Sequence, residues 1–184
     1  MSIFLPIQSV RLTLREFREE DLNEMHHYLS DSEVLQFMMQ DTNTEEGSNA
    51  YLKKFLQFQK DNPRFFVRFA IIEKLSNCLI GECGLNMPNI QHKEGELVYR
   101  LNKKYWGNGY ATEAASEVVG LGFEKLGLHR IEAMCDSRNA SSIKVLEKIG
   151  MIKEGCYREH RWIKGRWRDS VVYSILDSEY FIQK

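Results

Sequence analysis

The chain has 184 residues, with 25 Lys and Arg against 26 Asp and Glu, 43% hydrophobic and 11% aromatic. That length suits one domain with a continuous core, and a 28% charged fraction alongside plentiful apolar residues excludes an intrinsically disordered chain. A net charge of −1 excludes a globally basic nucleic-acid binder, whose affinity rests on many cation–phosphate contacts.

The charge is nevertheless sorted along the chain. Residues 16–46 hold ten acids and one base, Arg18, whereas residues 153–169 hold six Lys or Arg and three acids. No repeat, low-complexity segment or linker divides the sequence, so 1–184 reads as a single domain. No apolar run approaches the ~20 residues of a membrane-spanning helix. The opening MSIFLPIQSVRLTLRE has no basic leader followed by a long apolar stretch, so no signal peptide is expected. Cys78, Cys83, Cys135 and Cys156 form no C-x-x-C pair and have no His in metal-ligand spacing. They read as reduced, mostly buried thiols of a cytoplasmic protein, and no metal is expected.

In chain order, Val10 to Arg15 alternates apolar and polar residues, the period of a half-buried strand. REEDLNEMHHYLSD follows, with acids in its first turn and Leu22, Met25 and Leu29 at helical spacing. A second helix is expected to include Val34 to Met38, and a third to run from about Thr44, its N-cap, to Lys60. After Pro63, the segments FFVRFAIIEK, CLIGECGLNM and ELVYRL are aromatic and β-branched and are separated by turn-like residues, as in successive antiparallel strands. WGNGY then opens a helical run, LHRIEAMCD is a strand, and NASSIKVLEKIG is a short helix that Gly150 can stop. The remainder reads as two strands joined around Lys164 and Gly165. The order β-ααα-βββ-α-β-α-ββ describes an α/β (α+β) domain, a mixed sheet with helices packed on it.

The loop Trp106-Gly107-Asn108-Gly109-Tyr110-Ala111-Thr112 lies between a strand and a helix. Glycines there allow a tight turn and a close ligand approach, and the unpaired N–H groups at a helix start suit a phosphate or pyrophosphate. There is no G-x-x-x-x-G-K-[ST], hence no P-loop lysine. There is no complete G-x-G-x-x-G either, because Gly107 and Gly109 are followed by Thr112.

The run YWGNGYATEA, then NASSIKVLEKIGM, then the late GRWRDSVVY, resembles the GNAT superfamily of acyl-CoA N-acetyltransferases over nearly the whole chain. The resemblance is strongest to the branch of the RimJ/RimL ribosomal-protein N-terminal acetyltransferases. It implies a mostly antiparallel central sheet of about seven strands flanked by helices, and acetyl-CoA as cosubstrate. The amides of Gly107, Asn108, Gly109, Tyr110, Ala111 and Thr112 would hold the coenzyme A pyrophosphate. Trp106 stands where the family's Gln or Arg is usual. The strand ending at Leu101 would pair with the pantetheine arm, and the Asn139 side chain would bond the same arm. The acceptor would be an amine, either a protein N-terminus or a small molecule such as an antibiotic, polyamine or amino acid. A noncatalytic acyl-CoA-binding module on the same fold is the alternative from another class. A homodimer is among the assemblies the resemblance allows; neither a membrane nor a nucleic acid is an expected partner.

Acetyl transfer to an amine needs a neutral nucleophile, a stabilised oxyanion and a proton for the departing thiolate. By resemblance, the usual acidic Tyr falls at Leu146, whereas the branch's Ser falls at Ser142, which becomes the expected thiolate donor. For the base, Glu96 at the start of ELVYRL ranks first and His160 second, with Glu82 on the preceding strand also noted. His26 and His27 read as surface residues. Trp162 and Trp167 alternate with Arg161, Arg166 and Arg168, which reads as a hairpin with aromatic and cationic faces in preference to an RNA-stacking platform. The acidic stretch 16–46 is expected to wall the acceptor side and attract cationic amines.

Overall fold

A computed structural model describes residues 6–88 and 90–183; the first five residues of the opening stretch, Asn89 and Lys184 lie outside the described residues. In chain order the elements are β1 (Ile7–Gln8), β2 (Leu12–Glu16), α1 (Leu22–Leu29), α2 (Glu45–Phe58), β3 (Phe66–Glu73), β4 (Cys78–Asn86) and β5 (Glu94–Leu101). They continue with α3 (Tyr110–Glu124), β6 (Arg130–Asp136), α4 (Ala140–Lys148), β7 (Ile152–Ile163), β8 (Arg166–Leu176) and α5 (Asp177–Gln183). The strands form one eight-stranded sheet in the order β1-β2-β3-β4-β5-β6-β8-β7. Every neighbouring pair is antiparallel except β5 and β6.

Two apolar layers cover the sheet. Leu14, Phe69, Ile71, Leu85, Leu97 and Ile131 pack against Ala114, Val118 and Phe123 of α3 on one face, with Leu146 of α4. On the other face Ala70, Ile72 and Leu79 pack against Met25 and Leu29 of α1 and Leu52 and Phe55 of α2. Burial of alternate residues on a strand fixes which side chains look at which helices. This alternation divides the site into two halves.

Most expected elements are present, with three differences. Thr44 caps α2 as expected, its Oγ1 accepting the Gly47 N–H at 3.2 Å. The expected helix at Val34 to Met38 is instead a run of turns. Val34 and Leu35 are buried there, and two of the carbonyls bond the distant hairpin, that of Leu35 while also accepting the Met38 N–H at 2.9 Å. Lys164 Nζ donates to the Leu35 carbonyl at 2.7 Å and Arg168 Nη1 to the Phe37 carbonyl at 3.3 Å. The sheet has eight strands where about seven were expected, because Ile7 and Gln8 pair with Leu14 and Thr13. The chain also ends in α5, where Glu179 Oε2 accepts the Leu176 N–H at 2.9 Å and Tyr180 Oη donates to Glu124 at 2.5 Å.

The terminal hairpin turns at Lys164 and Gly165, both left-handed (φ 49 and 75). Trp162 and Trp167 face each other across it with ring centroids 5.4 Å apart, both more than half exposed. No helix among the described residues is long and apolar enough to cross a membrane. All four cysteines are free; Cys83 and Cys135 are buried, Cys78 is half-buried and Cys156 is exposed.

Candidate active site

The strands β5 and β6 pair only over Glu94–Glu96 against Arg130–Glu132. Beyond that they part while β4 and β8 keep their own pairings, which leaves a notch in the sheet. A cavity of about 210 Å³ fills the notch, lined from both faces of the sheet. Tyr99, Asn139, Ser142 and Leu146 line it on the α3–α4 side. Tyr51, Arg68, Glu82, Arg100 and Arg168 line it on the α1–α2 side, with Phe37 and Met38 from the turns.

The loop after β5 has the geometry of an anion cradle. Gly107 and Gly109 have φ of 77 and 78, which a side chain would strain. Gly109 caps α3 without a side-chain hydrogen bond, and the first intrahelical bond runs from the Glu113 N–H to the Gly109 carbonyl at 3.0 Å. The amides of Tyr110, Ala111 and Thr112 therefore project from the positive end of the helix dipole. Arg11 braces the cradle from β2's edge. Its Nη1 donates to the Asn108 carbonyl at 2.8 Å, its Nε to Glu113 at 2.7 Å, and it lies 4.6 Å from the Tyr110 ring centre. Trp106 ties the other end, its Nε1 donating to the Leu101 carbonyl at 3.0 Å. That carbonyl, on the strand expected to receive pantetheine, is thus already engaged.

Asn139 caps α4, its Oδ1 accepting the Ser142 N–H at 3.0 Å and the Ser141 hydroxyl at 2.9 Å. Ser142 in turn meets Tyr99. The two hydroxyls are 2.7 Å apart, and Tyr99 Oη lies 3.2 Å from the Ser142 carbonyl. Burial pushes the Tyr99 phenol well above its ordinary range, so it stays protonated at neutral pH.

Across the notch, Glu82 is 4% exposed and accepts hydroxyls from Tyr28 at 3.0 Å and Tyr51 at 3.3 Å. Burial, with Glu82 beside it, pushes the Tyr51 phenol up to about 12. Arg100 Nη1 stands 3.8 Å from Glu82 Oε1. Asp136 is clasped by Arg138 at 2.8 and 2.6 Å; burial opposes ionisation there, but Arg138 and its backbone N–H hold the carboxyl below the usual range.

A notched sheet beside a glycine cradle is the geometry the sequence resemblance implied, and the comparisons agree. Residues 11–152 match the family model described as an acetyltransferase (GNAT) domain. The chain belongs to the GNAT acetyltransferase family. An uncharacterized N-acetyltransferase, p20 of Bacillus licheniformis, is 35% identical over 170 residues, covering 92% of this chain and 95% of that protein. The crystal structure of a GNAT-family acetyltransferase from Bacillus anthracis is 31% identical with a TM-score of 0.84, covering 95% of this chain and 100% of that one. A spermidine N-acetyltransferase from Vibrio cholerae, solved with CoA and spermine, shares the fold at 22% identity, TM-score 0.82, over 94% of this chain and 99% of that one. The chain is an N-acetyltransferase using acetyl-CoA, and its mixed sheet flanked by helices is the GNAT fold.

Within this GNAT domain the residues singled out from sequence do not all converge. Asn139 and Ser142 line the cavity, and the 106–112 loop follows directly on the notch strand β5. Glu96 and His160 are not among the lining residues. Glu96 ends the paired part of β5 and accepts Asn86 Nδ2 at 2.8 Å. His160 sits in a bulge of β7 at an open depression of about 920 Å³ that also includes Cys156, Tyr157 and Asp169. It reaches the cavity only through Ser170, 3.1 Å from its Nδ1, which also accepts Arg168 Nε at 3.0 Å. The expected acidic wall is not at the cavity, since no carboxylate of 16–46 lines it. Those acids pair elsewhere: Glu16 with Arg64, Asp21 with Arg15, Glu33 with Lys103. His26 is half-buried, 2.8 Å from the buried Ser48 hydroxyl, and so joins α1 to α2; His27 is exposed.

Arg68, Arg100 and Tyr99 carry the site's polar chemistry and were not singled out. A signal for them exists. Arg68, Glu82 and Arg100 each stand inside a strand between two uncharged neighbours, and a charge in mid-strand must find a partner across the sheet. Glu82 and Arg100 are direct cross-strand neighbours.

Proposed function

We propose that this GNAT domain is a cytoplasmic enzyme that acetylates a protein N-terminal α-amine, as the RimJ/RimL resemblance implies. The Tyr99–Ser142 hydroxyl pair inside the notch carries the reading. Acetyl-CoA supplies the activated thioester, which the amine attacks directly; the C–N bond forms as the C–S bond breaks. The 106–112 amides hold the pyrophosphate, the unpaired edge of β5 beyond Glu96 receives the pantetheine arm, and Asn139 Nδ2 donates to it. Tyr99, kept protonated, donates to Ser142 Oγ, so that the serine's own hydrogen points to the departing sulfur. Ser142 thus takes the role that Leu146 cannot.

The acceptor's proton goes to Glu82, the carboxylate on the cavity wall that no cation holds at hydrogen-bond distance. Glu96, through Asn86, and His160, through Ser170, are the indirect routes. A carboxylate is a modest base. It suits an α-amine, partly neutral already at its pKa of about 7.7–8.0, better than a lysine-like amine near about 10.4. A small-molecule amine, such as the polyamine of the Vibrio cholerae structure, is the competing acceptor, and a noncatalytic acyl-CoA-binding module the competing class.

Thiol release from acetyl-CoA should appear with peptide N-termini and exceed that with spermidine or aminoglycosides in kcat/KM. A preference for spermidine overturns the acceptor, and tight acetyl-CoA binding with no turnover on any amine overturns catalysis. A homodimer is among the assemblies the resemblance allows, and sedimentation of the full chain tests it.

A further inference from the structure

We infer that the acceptor amine arrives with a carboxylate, and that Arg100 is the residue that reads it. The inference rests on the acetyltransferase reading and narrows the acceptor's chemical class.

The observation is an unsatisfied buried cation. Arg100 is 9% exposed and lines the cavity. Its Nε and Nη1 have no hydrogen-bond partner. Nη2 is bonded to Gln40 Oε1 at a long 3.4 Å, and the guanidinium carbon lies 5.7 Å from the centre of the Tyr51 ring. Glu82 faces Nη1 at 3.8 Å, close enough to offset charge and too far to accept the hydrogen. A buried guanidinium with idle donors is costly in a protein unless something else meets them.

Its direction decides what that something is. Side chains alternate along β5, so Arg100 faces α1–α2 while its neighbour Tyr99 faces Ser142 on the opposite side. The thiolate leaves on the Tyr99–Ser142 side. Arg100 therefore looks into the half of the notch left for the acceptor.

Charge in that half points the same way. Arg68, Arg100 and Arg168 line the cavity against Glu82 and Asp136, and Asp136 is already clasped by Arg138, which is not a lining residue. A polycation would enter an excess of positive charge. An amine that also carries a carboxylate presents its cationic end to Glu82 and its anionic end to the free donors of Arg100. Free α-amino acids and peptides with an acidic residue behind the N-terminus share this chemistry.

The test compares acceptors with and without a carboxylate: a short C-amidated peptide with Glu or Gln as second residue, glutamate against glutaminamide, which lacks both carboxylates, and spermidine. Wild type should prefer the carboxylate member by about 10- to 100-fold in kcat/KM, the worth of a hydrogen bond to a charged group. The peptide and amino-acid arms distinguish the two sources. Arg100→Met should bring that ratio to about one with acetyl-CoA affinity unchanged, and Arg100→Lys should retain part of it. A wild-type ratio near one, a ratio surviving in Arg100→Met, or spermidine as the preferred acceptor overturns the proposal. Binding is read separately as the rise in Tm with glutamate over glutaminamide, present in wild type and lost in Arg100→Met. Should that variant fold poorly because Glu82 is left unpaired, the Glu82→Gln/Arg100→Met double variant removes both charges and gives the same binding readout. Absence of turnover with every amine would overturn the transferase reading, while the glutamate-dependent shift would still decide the anion site.

Discussion

The phenolic oxygen of Tyr99 lies 2.7 Å from the hydroxyl of Ser142, a residue 43 positions later on a different element. The contact exists because β5 and β6 stop pairing after Glu96, which lets the first turn of α4 reach the strand the notch exposes. Leu146, one turn further, is 1% exposed and packs in the α3-side core, so it helps hold α4 in place. In the proposed reading, a serine polarised by a buried phenol stands where a lone hydroxyl would be a weak donor.

Ser142→Ala should lower kcat by about 10²-fold, at the lower end of what general-acid assistance supplies, with the KM for acetyl-CoA changed less than about threefold. Tyr99→Phe should cost about tenfold, and the double variant little more than Ser142→Ala alone, because the two act as one unit. Steady-state kinetics with an acyl thioester of a more acidic thiol provide the check. A better leaving group should restore most of the lost rate in Ser142→Ala, and an undiminished defect would remove Ser142 from the proton path.

Much of this was legible in the chain, and its limits have physical causes. The 106–112 loop announces itself because left-handed turns before a helix require glycine, and Thr44 because a helix start needs an acceptor side chain. Val34–Met38 misled because its spacing is helical, whereas the carbonyls of Leu35 and Phe37 are claimed by Lys164 and Arg168 some 130 residues away (129 and 131). Glu96 drew attention as a carboxylate at the start of ELVYRL, but register places it beside Asn86, while Glu82, one strand over, looks into the cavity. Cross-strand register is a tertiary fact that one strand's pattern does not contain.

Trp106 should matter through one hydrogen bond more than through its ring. Its Nε1 fastens the loop to the Leu101 carbonyl at 3.0 Å, and the residue is 42% exposed. Trp106→Phe keeps an aromatic ring and removes the donor. At about 0.5–1.5 kcal/mol for a neutral hydrogen bond, the KM for acetyl-CoA should rise about 2- to 12-fold with kcat nearly constant. Equal effects on KM for acceptor and acetyl-CoA would argue against loop anchoring.

Acid stability should depend on Glu154. Arg130 reaches it across β8 with two bonds of 2.7 and 2.6 Å, and Ser174 adds a third at 2.7 Å. Arg130 above all holds the Glu154 carboxyl down to about 2. A depressed folded-state pKa stabilises the fold above the unfolded value, about 4.3, and that contribution disappears as pH falls toward 2. Because Glu154 is 44% exposed, solvent screening limits the effect to about 0.5–1 kcal/mol. Glu154→Gln should lower Tm by about 1–4 °C at pH 7 and converge with wild type near pH 2. Parallel melting curves at every pH would place the stabilisation elsewhere.

The acceptor's proton path separates three residues by where they sit. Glu82 is on the cavity wall, Glu96 lies opposite Asn86 two same-face rows along the sheet, and His160 is on the hairpin behind Ser170. Direct base catalysis contributes about 10²–10⁴-fold, so Glu82→Gln should lower kcat/KM for the amine by at least about 10²-fold. The limb of the pH profile set by the amine's own ionisation should remain, near about pH 8 for a peptide α-amine. Glu96→Gln and His160→Ala should each change kcat/KM by less than about 12-fold, the upper cost of one lost neutral hydrogen bond. Since Glu82 also faces Arg100, loss of charge and loss of base must be distinguished. Glu82→Asp keeps the charge but withdraws it by one methylene, so it should retain part of the rate that Glu82→Gln loses. A full-sized defect in His160→Ala with Glu82→Gln near wild type would move the base to the hairpin relay through Ser170 and Arg168.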